Sequence, residues 1–406
     1  MSAWLTVIGI GEDGIDGLPP IHRATIAAAV LIIGGERHLA MLGSTKAETQ
    51  TWASPLSTTV EEILKRRGRP VVVLATGDPM HFGIGVTLAK RVAKDEIAIH
   101  PHLSAFSLAA ARLAWPLAEV ECLTFHGRPI ELLTAAVTPR QKLMILSHDS
   151  TTPGLVAARL TAMGYGASRF VVLEHMGGGK ECVRESKAED WGSPSGIHGD
   201  VADLNTIAID CVAGPNAKIL HRGFGLPDEA FHHDGQLTKR EIRAAALSAL
   251  GPLHGELLWD IGAGCGSIAI EWLRHDRSLK AVAIERDPTR AAMIRDNAAA
   301  LGTPNLQLIE GEAPDALRNL PTPDAVFIGG GTGRARVIDA AWKALRSGGR
   351  LVAHAVTVEG ELALAAGFHA HGGEMTRLSV QRMQPVGSLH GWKPLMPVTQ
   401  WRAVKT

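Results

Sequence analysis

Three glycines alternate in Leu257-Leu-Trp-Asp-Ile-Gly262-Ala-Gly264-Cys-Gly266-Ser-Ile-Ala-Ile-Glu271, between an apolar run and an amphipathic stretch. The apolar run reads as a buried strand, and Ser267 onward reads as the start of a helix. Glycine in the turn between them lets the backbone bend sharply and meet a ligand with no Cβ in the way. A dinucleotide site needs G-x-G-x-x-G, whose third glycine allows close helix packing beside a pyrophosphate. Ser267 occupies that third position here, and the spacing is G-x-G-x-G. This form suits a ligand without phosphate, such as S-adenosylmethionine (SAM). Glu285 closes the next apolar run, 21 residues after Gly264, where a carboxylate can accept both ribose hydroxyls. Gly311-Glu-Ala-Pro-Asp ends the third run, so the Ala313 backbone is the expected adenine contact.

The first half carries its own glycine turn, Gly9-x-Gly11-x-x-Gly14, with Glu36 after the next apolar run. Taken alone it matches the dinucleotide fingerprint, so an NAD(P)-linked reductase is the alternative reading. Gly17 and Pro20 count against it, because they interrupt the first turns of the helix that fingerprint requires. No Ser/His/Asp triad is apparent. The histidine pairs His100/His102, His232/His233 and His369/His371 lack a third clustered ligand, and no metal site is expected.

Short apolar runs alternate with Ala-rich helical stretches along the chain, which is the pattern of α/β architecture. Strands are expected at Leu5–Ile10, Val30–Ile33, Val71–Ala75, Leu143–Ser147, Phe170–Glu174 and Thr206–Val212. A Gly/Pro-rich stretch at 214–227 then reads as a linker. Five strand–helix units follow, with strands at Leu257–Ile261, Ala281–Glu285, Leu306–Ile309, Ala325–Ile328 and Leu351–Ala355. A terminal pair at Arg377–Arg382 and Val398–Val404 completes a doubly wound sheet. The expected domains are therefore 1–213 and 228–406.

With 406 residues the chain is too long for one compact core and comfortable for two domains. A hydrophobic fraction of 46% excludes a disordered protein. The 41 basic and 41 acidic residues cancel; those before Gly214 number 19 and 22, a net of −3, and the rest 22 and 19, a net of +3. Neither half has the basic excess of a nucleic-acid binder, and 4% aromatic residues make a base-stacking platform a poor fit. Four cysteines without C-x-x-C spacing suit a reducing cytoplasm. No apolar stretch reaches the roughly 18 residues of a membrane span, and Met1-Ser-Ala-Trp reads as the approach to a first strand rather than a signal peptide. A cytoplasmic protein that binds neither membrane nor nucleic acid is expected.

Gly235-Gln-Leu-Thr-Lys-Arg-Glu-Ile-Arg243, the Trp259–Trp272 loop and Gly311-Glu-Ala-Pro314 resemble the decarboxylating precorrin methyltransferases of cobalamin biosynthesis. Phe327-Ile-Gly-Gly-Gly331 and Gly349-Arg-Leu-Val-Ala-His-Ala-Val-Thr-Val-Glu359 extend the resemblance over nearly all of 228–406. His354 stands where that family has Asn. Val7-Ile-Gly-Ile-Gly-Glu-Asp-Gly-Ile-Asp-Gly-Leu18, Ala75-Thr-Gly-Asp-Pro79 with Gly83, and Pro101–Leu113 resemble the tetrapyrrole methylases. In the last of these His102 and Ala105 replace a usual Gly and Ser, so cofactor contacts there carry over only onto Ser104, beside Gly77, Asp78 and Pro79 of the Gly-Asp-Pro turn.

The resemblance implies a tetrapyrrole methylase fold of two α/β subdomains, followed by a class I SAM-methyltransferase, Rossmann-like doubly wound sheet. It implies a bifunctional SAM-dependent methyltransferase of the corrin pathway, acting at C5, at C15 and on the C12 acetate. SAM is expected in two sites, one per domain, with Thr238 joining Gly262, Ala263, Gly264, Cys265, Gly266, Glu285 and Ala313 in the second. The implied substrate is a tetrapyrrole with many carboxylates, for which Lys239, Arg240, Arg243, Arg334, Arg336, His126 and Arg128 are the candidate partners. A homo-oligomer is expected as well. A carrier or scaffold with one degenerate domain is the other alternative, and His102, Ala105 and His354 are the residues that leave it open.

Overall fold

The computed structural model describes residues 3–191, 200–331, 333 and 336–406, and the chain forms two compact units. The first comprises Met1–Ile130 and Pro139–Lys218, and the second Glu131–Thr138 and Ile219–Thr406. Among the described residues no helix is long and apolar enough to cross a membrane.

Two sheets build the first unit. β1 (Leu5–Ile10), β2 (Leu31–Ile33), β3 (Glu48–Gln50), β4 (Val71–Thr76) and β5 (Ile97–His100) are all parallel, in the order β3-β2-β4-β1-β5. Every residue of β1 is buried, as expected of a parallel strand covered on both faces. Its side chains alternate: Leu5 and Val7 join one apolar cluster with Val71 and Val73, Ile8 and Ile10 another with Val72 and Leu74. β6 (Val120–Thr124), β7 (Lys142–Leu146), β8 (Arg169–Glu174), β9 (Cys182–Lys187) and β10 (Asn205–Asp210) form a mixed sheet in the order β6-β7-β10-β8-β9. After β1 the chain makes a short 3₁₀ turn at Gly14–Gly17, and a helix begins only at Pro20. The Gly9–Gly14 turn therefore does not open a helix in the dinucleotide manner.

Among the described residues nine strands follow in the second unit: β11 (Leu257–Ile261), β12 (Lys280–Glu285), β13 (Gln307–Glu310), β14 (Ala325–Ile328), β15 (Arg350–Ala355), β16 (Glu374–Leu378), β17 (Gln381–Val386), β18 (Leu389–Pro394) and β19 (Val398–Val404). β17 and β18 pair as a separate hairpin. The other seven form one sheet of order β13-β12-β11-β14-β15-β19-β16, with β19 antiparallel to both its neighbours. Strand order reverses between β11 and β14, so the loops leaving those strands border the crevice where open α/β sheets bind ligands. Trp259, Val282 and Val326 face one apolar cluster, and Leu258, Ala281, Ala283 and Phe327 face the other. The α/β expectation holds in both units. The single strand expected at Arg377–Arg382 is two strands, because Leu378 pairs with Val398 in the sheet while Gln381 pairs with Pro394 in the hairpin.

The Gly/Pro-rich stretch at 214–227 is packed along much of its length. Gly214 N–H donates to Gly164 O at 2.9 Å in the first unit, whereas Leu220 and Leu226 are buried in the second with Phe231, Leu237, Cys265 and Ile270. Polar groups fix it further. Glu271 accepts from Gly225 N–H at 2.6 Å and Leu226 N–H at 2.9 Å, and from Arg243 Nε at 2.6 Å. Arg243 also donates to the carbonyls of Leu226 and Thr238 and meets Asp228 at 3.3 Å. Arg382 of β17 continues the chain of charges to Asp228 at 2.9 Å and to Glu241 at 2.6 Å. The segment 131–138 enters the second unit beside Gly302, where an added Cβ would lie 2.5 Å from Ala135 N.

Glu271 and Arg243 are sealed from solvent, so removing one charge leaves the other uncompensated. Glu271→Gln is expected to cost about 3 kcal/mol or more in urea unfolding. Glu241→Gln, at the solvated end of the same network, is expected to cost less than about 1 kcal/mol. Equal losses for the two variants would show that the buried pair is not the critical link.

Candidate cofactor and substrate sites

The loop after β11 takes the left-handed backbone at each of its three glycines. Gly262, Gly264 and Gly266 have φ of +70°, +60° and +84°. At Gly262 an added Cβ would fall 2.8–2.9 Å from backbone atoms of Gly330, so two glycine loops meet with no side chain between them. Ser267, immediately after, starts the helix Ser267–His275, and its N-terminus lies against the turn.

Glu285, at the end of β12, holds this loop. Its Oε2 accepts from Gly264 N–H at 2.8 Å, and its Oε1 accepts from Arg286 and Asp287 N–H at 2.9 and 3.0 Å. A carboxylate has about four acceptor positions. Three are occupied by backbone, so taking both ribose hydroxyls requires one of those bonds to open. Gly262, Glu285 and Ala313 line a cavity of about 230 Å³ with Gly311, Arg286 and Arg290. Thr238, Gly262, Ala263, Gly264 and Cys265 line a larger one of about 840 Å³, together with Lys239, Asp260, His354 and Thr357. Gly266 borders neither cavity and serves as the helix N-cap. Burial pushes the Cys265 thiol up to about 11, which removes it as a nucleophile.

Asp260 escaped the sequence reading, although an acid within a buried strand just before a glycine turn is a visible signal. Its Oδ2 accepts from Ala269 N–H at 3.1 Å, and its Oδ1 is buried with no partner. Complete burial pushes its pKa up to about 7; the Ala269 bond opposes this and the Glu285 charge adds to it. His354 is pushed down to about 4 by burial, against the bond between its Nε2 and Gln400 Oε1 at 2.9 Å. Its ring also meets Phe327 edge-on, with centroids 5.0 Å apart. It is thus a neutral wall residue of the larger cavity.

The proposed substrate cations of the second unit separate sharply. Lys239 lines the larger cavity. Arg240 is exposed and pairs with Glu241 at 3.1 Å. Arg243 is a correction: it is wholly buried and spends its guanidinium on Glu271, Asp228 and two carbonyls, so no substrate can reach it. Arg336 is exposed at the N-cap of the helix Val337–Ala344 and borders no cavity described here. Arg334 lies outside the described residues.

In the first unit Gly77 turns the chain after β4 with φ of +58° and donates to Ile10 O at 3.0 Å. An added Cβ at Gly9 would lie 1.9 Å from Gly77 O, so the end of β1 and the turn after β4 touch through glycine. Gly77 lines a cavity with Gly11, Glu12, Arg37, Leu108, His175 and Met176. Asp78, Pro79 and Ser104 are not on it. Asp78 Oδ1 accepts from Met80 N–H at 2.8 Å, Pro79 is buried, and Ser104 Oγ caps the helix Ala105–Leu113 by accepting from Ser107 N–H. Arg128 lies over the Phe82 ring at 5.3 Å, and the His126 ring is 5.3 Å from that of His148. Glu12, Arg37 and His175 were missed, since no sequence spacing joins residue 12 to residue 175.

Residues 5–191 match the family model of tetrapyrrole (corrin/porphyrin) methylases, and residues 229–405 match that of the precorrin methyltransferase domain. The chain is 48% identical over 406 residues to a precorrin-6Y C(5,15)-methyltransferase [decarboxylating] from Sinorhizobium sp., covering 100% of this chain and 97% of that protein. The chain belongs to the precorrin-6Y C(5,15)-methyltransferase (decarboxylating) family. A member from Mycobacterium tuberculosis (strain CDC 1551 / Oshkosh) is 40% identical, over 99% of this chain and 100% of that one. The solved C-terminal domain of the family's Rhodobacter capsulatus member is 41% identical, covering 46% of this chain and all of that chain with a TM-score of 0.43.

Asp260 gives this member of the family a pH signature. Unfolded, its pKa is the ordinary value near 4, and folded it is about 7. The folded chain therefore holds the proton more tightly, and the contribution is complete below about pH 4. It is lost as pH rises through 7, a change on the order of 4 kcal/mol. Asp260→Asn keeps the shape and abolishes the titration. The difference in stability between wild type and variant should shift by that amount between pH 4 and 8 in urea unfolding, and parallel curves would contradict the assignment.

Proposed function

We propose that the chain is a bifunctional SAM-dependent methyltransferase that methylates C5 and C15 of precorrin-6B and decarboxylates its C12 acetate, giving precorrin-8x. One observation carries this reading: likeness to the curated relatives runs from end to end, so neither unit is missing or replaced. We place one SAM in each unit, at the glycine turns after β11 and around Gly77. Bound SAM supplies a sulfonium methyl for in-line displacement by an electron-rich macrocycle carbon. The chain's part is to position the partners, and positioning alone accounts for large rate factors. In the second unit the turn residues Gly262–Cys265, Glu285 and the Ala313 backbone would hold the cofactor, with Thr238 closing over it. Lys239 holds a neighbouring carboxylate of the macrocycle. Decarboxylation needs an ionised acetate and a conjugated ring to take its electrons, so no protein nucleophile is required.

C5 methylation is assigned to residues 1–213, and C15 methylation with decarboxylation to 228–406. C12 and C15 flank the same ring region, and one pose serves both. C5 lies on the opposite side and needs a second orientation, which the first unit supplies, with Arg128 and His126, outside the cavity around Gly77, as candidate carboxylate partners. The protein works in the cytoplasm without a metal. It is a homo-oligomer, a reading supported by the hairpin, where Met383 faces Trp392 across the strands and the two are 60% and 67% exposed.

Calorimetry should find two SAM per chain. Gly264→Val imposes a β-branched residue on a φ of +60°, and it should reduce the count to one while leaving the first-unit site intact. Incubation of the wild type with the precorrin and SAM should add two methyls and remove one CO₂ by mass. Binding of NADPH in place of SAM would restore the reductase reading. Trp392→Glu should lower the mass seen in light scattering, and an unchanged mass would exclude the hairpin as the subunit contact.

A further inference from the structure

The first-unit cavity contains a set of side chains that the cofactor assignment leaves unused. His175 follows β8 with φ of +48°, a left-handed conformation uncommon for a residue with a side chain. Its backbone is held on both sides: the N–H donates to Leu204 O at 3.2 Å, and the carbonyl accepts from Gly178 N–H at 3.0 Å. Strain of this kind persists where the surroundings over-determine it, commonly at functional sites. The ring Nδ1 lies 2.7 Å from Glu12 Oε2, and the other carboxylate oxygen of Glu12 pairs with Arg37. Arg37 is itself anchored to Thr76 Oγ1 at 3.0 Å. Gly178 makes room for this arrangement, since an added Cβ would lie 2.7 Å from Glu12 Cβ.

Burial raises the Glu12 pKa, but the His175 bond and the Arg37 charge outweigh it and hold the carboxyl below its ordinary value. An ionised carboxylate can only accept, so the His175 proton sits on Nδ1. In the neutral ring Nε2 then carries the lone pair, and among the described residues no hydrogen bond to it is found. A carboxylate that orients an imidazole with its second nitrogen free is the arrangement of a general base.

We propose that His175 Nε2 takes the proton released at the methylated meso carbon in the first unit, with Glu12 as its positioning residue. The proposal rests on the reading that this unit methylates C5. Forming the new C–C bond uses a π electron pair of the macrocycle and breaks the S–C bond of the donor. The carbon still bears its hydrogen, and conjugation is interrupted by a positive charge. Transfer of that proton to Nε2 returns the C–H electron pair to the π system. The macrocycle becomes neutral, and the imidazolium stands against the Glu12 carboxylate until solvent takes the proton. Arg37 keeps Glu12 a weak base, so the imidazole does this work.

The test uses the full chain, the precorrin substrate and SAM. His175→Gln should slow C5 methylation by about 10²- to 10⁴-fold while decarboxylation, C15 methylation and the SAM count of two are unchanged. Its product should lack one methyl. Glu12→Gln should lower kcat for C5 methylation at unchanged KM. In ¹⁵N-histidine NMR the wild type should show one signal of a fixed Nδ1–H tautomer that disappears in His175→Gln and becomes a tautomer mixture in Glu12→Gln. A wild-type C5 rate in His175→Gln overturns the proposal alone. Loss of first-unit SAM binding in that variant also overturns it, by making His175 a cofactor contact. Failure of the wild type to methylate C5 removes the functional reading and this proposal with it.

Discussion

Arg243 and Glu271 form an ion pair with almost no access to water, and much of the second unit is arranged around it. Glu271 projects from the helix that the glycine turn starts, and its carboxylate also binds the backbone at Gly225 and Leu226. Arg243 projects from the helix Arg240–Leu250 and holds the carbonyl of Thr238, which lines the larger cavity. The two charges thus tie the helix after the glycine turn to the loop that carries Thr238. Desolvating both is expensive, and the return comes only from good geometry and extra hydrogen bonds. This pair has both. The cost makes alternative placements of either helix worse, because each would strand a charge.

The two clefts meet the same demand with different chemistry. In the second unit backbone does most of the holding, and acids stand close behind it: Glu285 ties the turn, and Asp260 lies beneath with one oxygen unpaired. In the first unit the end of β1 and the turn after β4 touch directly, and the nearby charges are a mixed set of Glu12, Arg37 and His175. That set is neutral in sum when the imidazole is neutral, and it leaves a nitrogen base free.

Legibility in the sequence followed burial. β1, β11, β14 and β19 fall where their apolar runs place them, because a strand covered on both faces has little freedom in composition. β3 reads Glu-Thr-Gln, and β18 contains Gly391 and Pro394; such edge strands carry no apolar period, and both were missed. Arg243 was misread for a different reason. Ala246, Leu247 and Leu250 lie three, four and seven positions after it and are buried, so the helical period places Arg243 on the apolar stripe. A lone charge on such a stripe signals a buried partner rather than a ligand. The Gly262–Gly266 turn and Glu285 were legible because a local motif encodes them. His175 and Glu12 were not, since their meeting depends on how two sheets pack.

The chain visits the second unit early, at 131–138, and returns to the first before crossing for good at Ile219. Synthesis on the ribosome runs from the N-terminus at about 5–20 residues per second. Ala135 is therefore made roughly 8 to 33 seconds before Gly302, the residue whose bareness receives it. By the end of that interval every residue of the first unit has been made, while the eight-residue excursion still awaits its place. A protease cut between Lys218 and Ile219 would leave this piece on the wrong fragment. The proposed division of labour between the units is thus not matched by a clean division of the polypeptide, and the order of translation becomes part of how the later unit is completed.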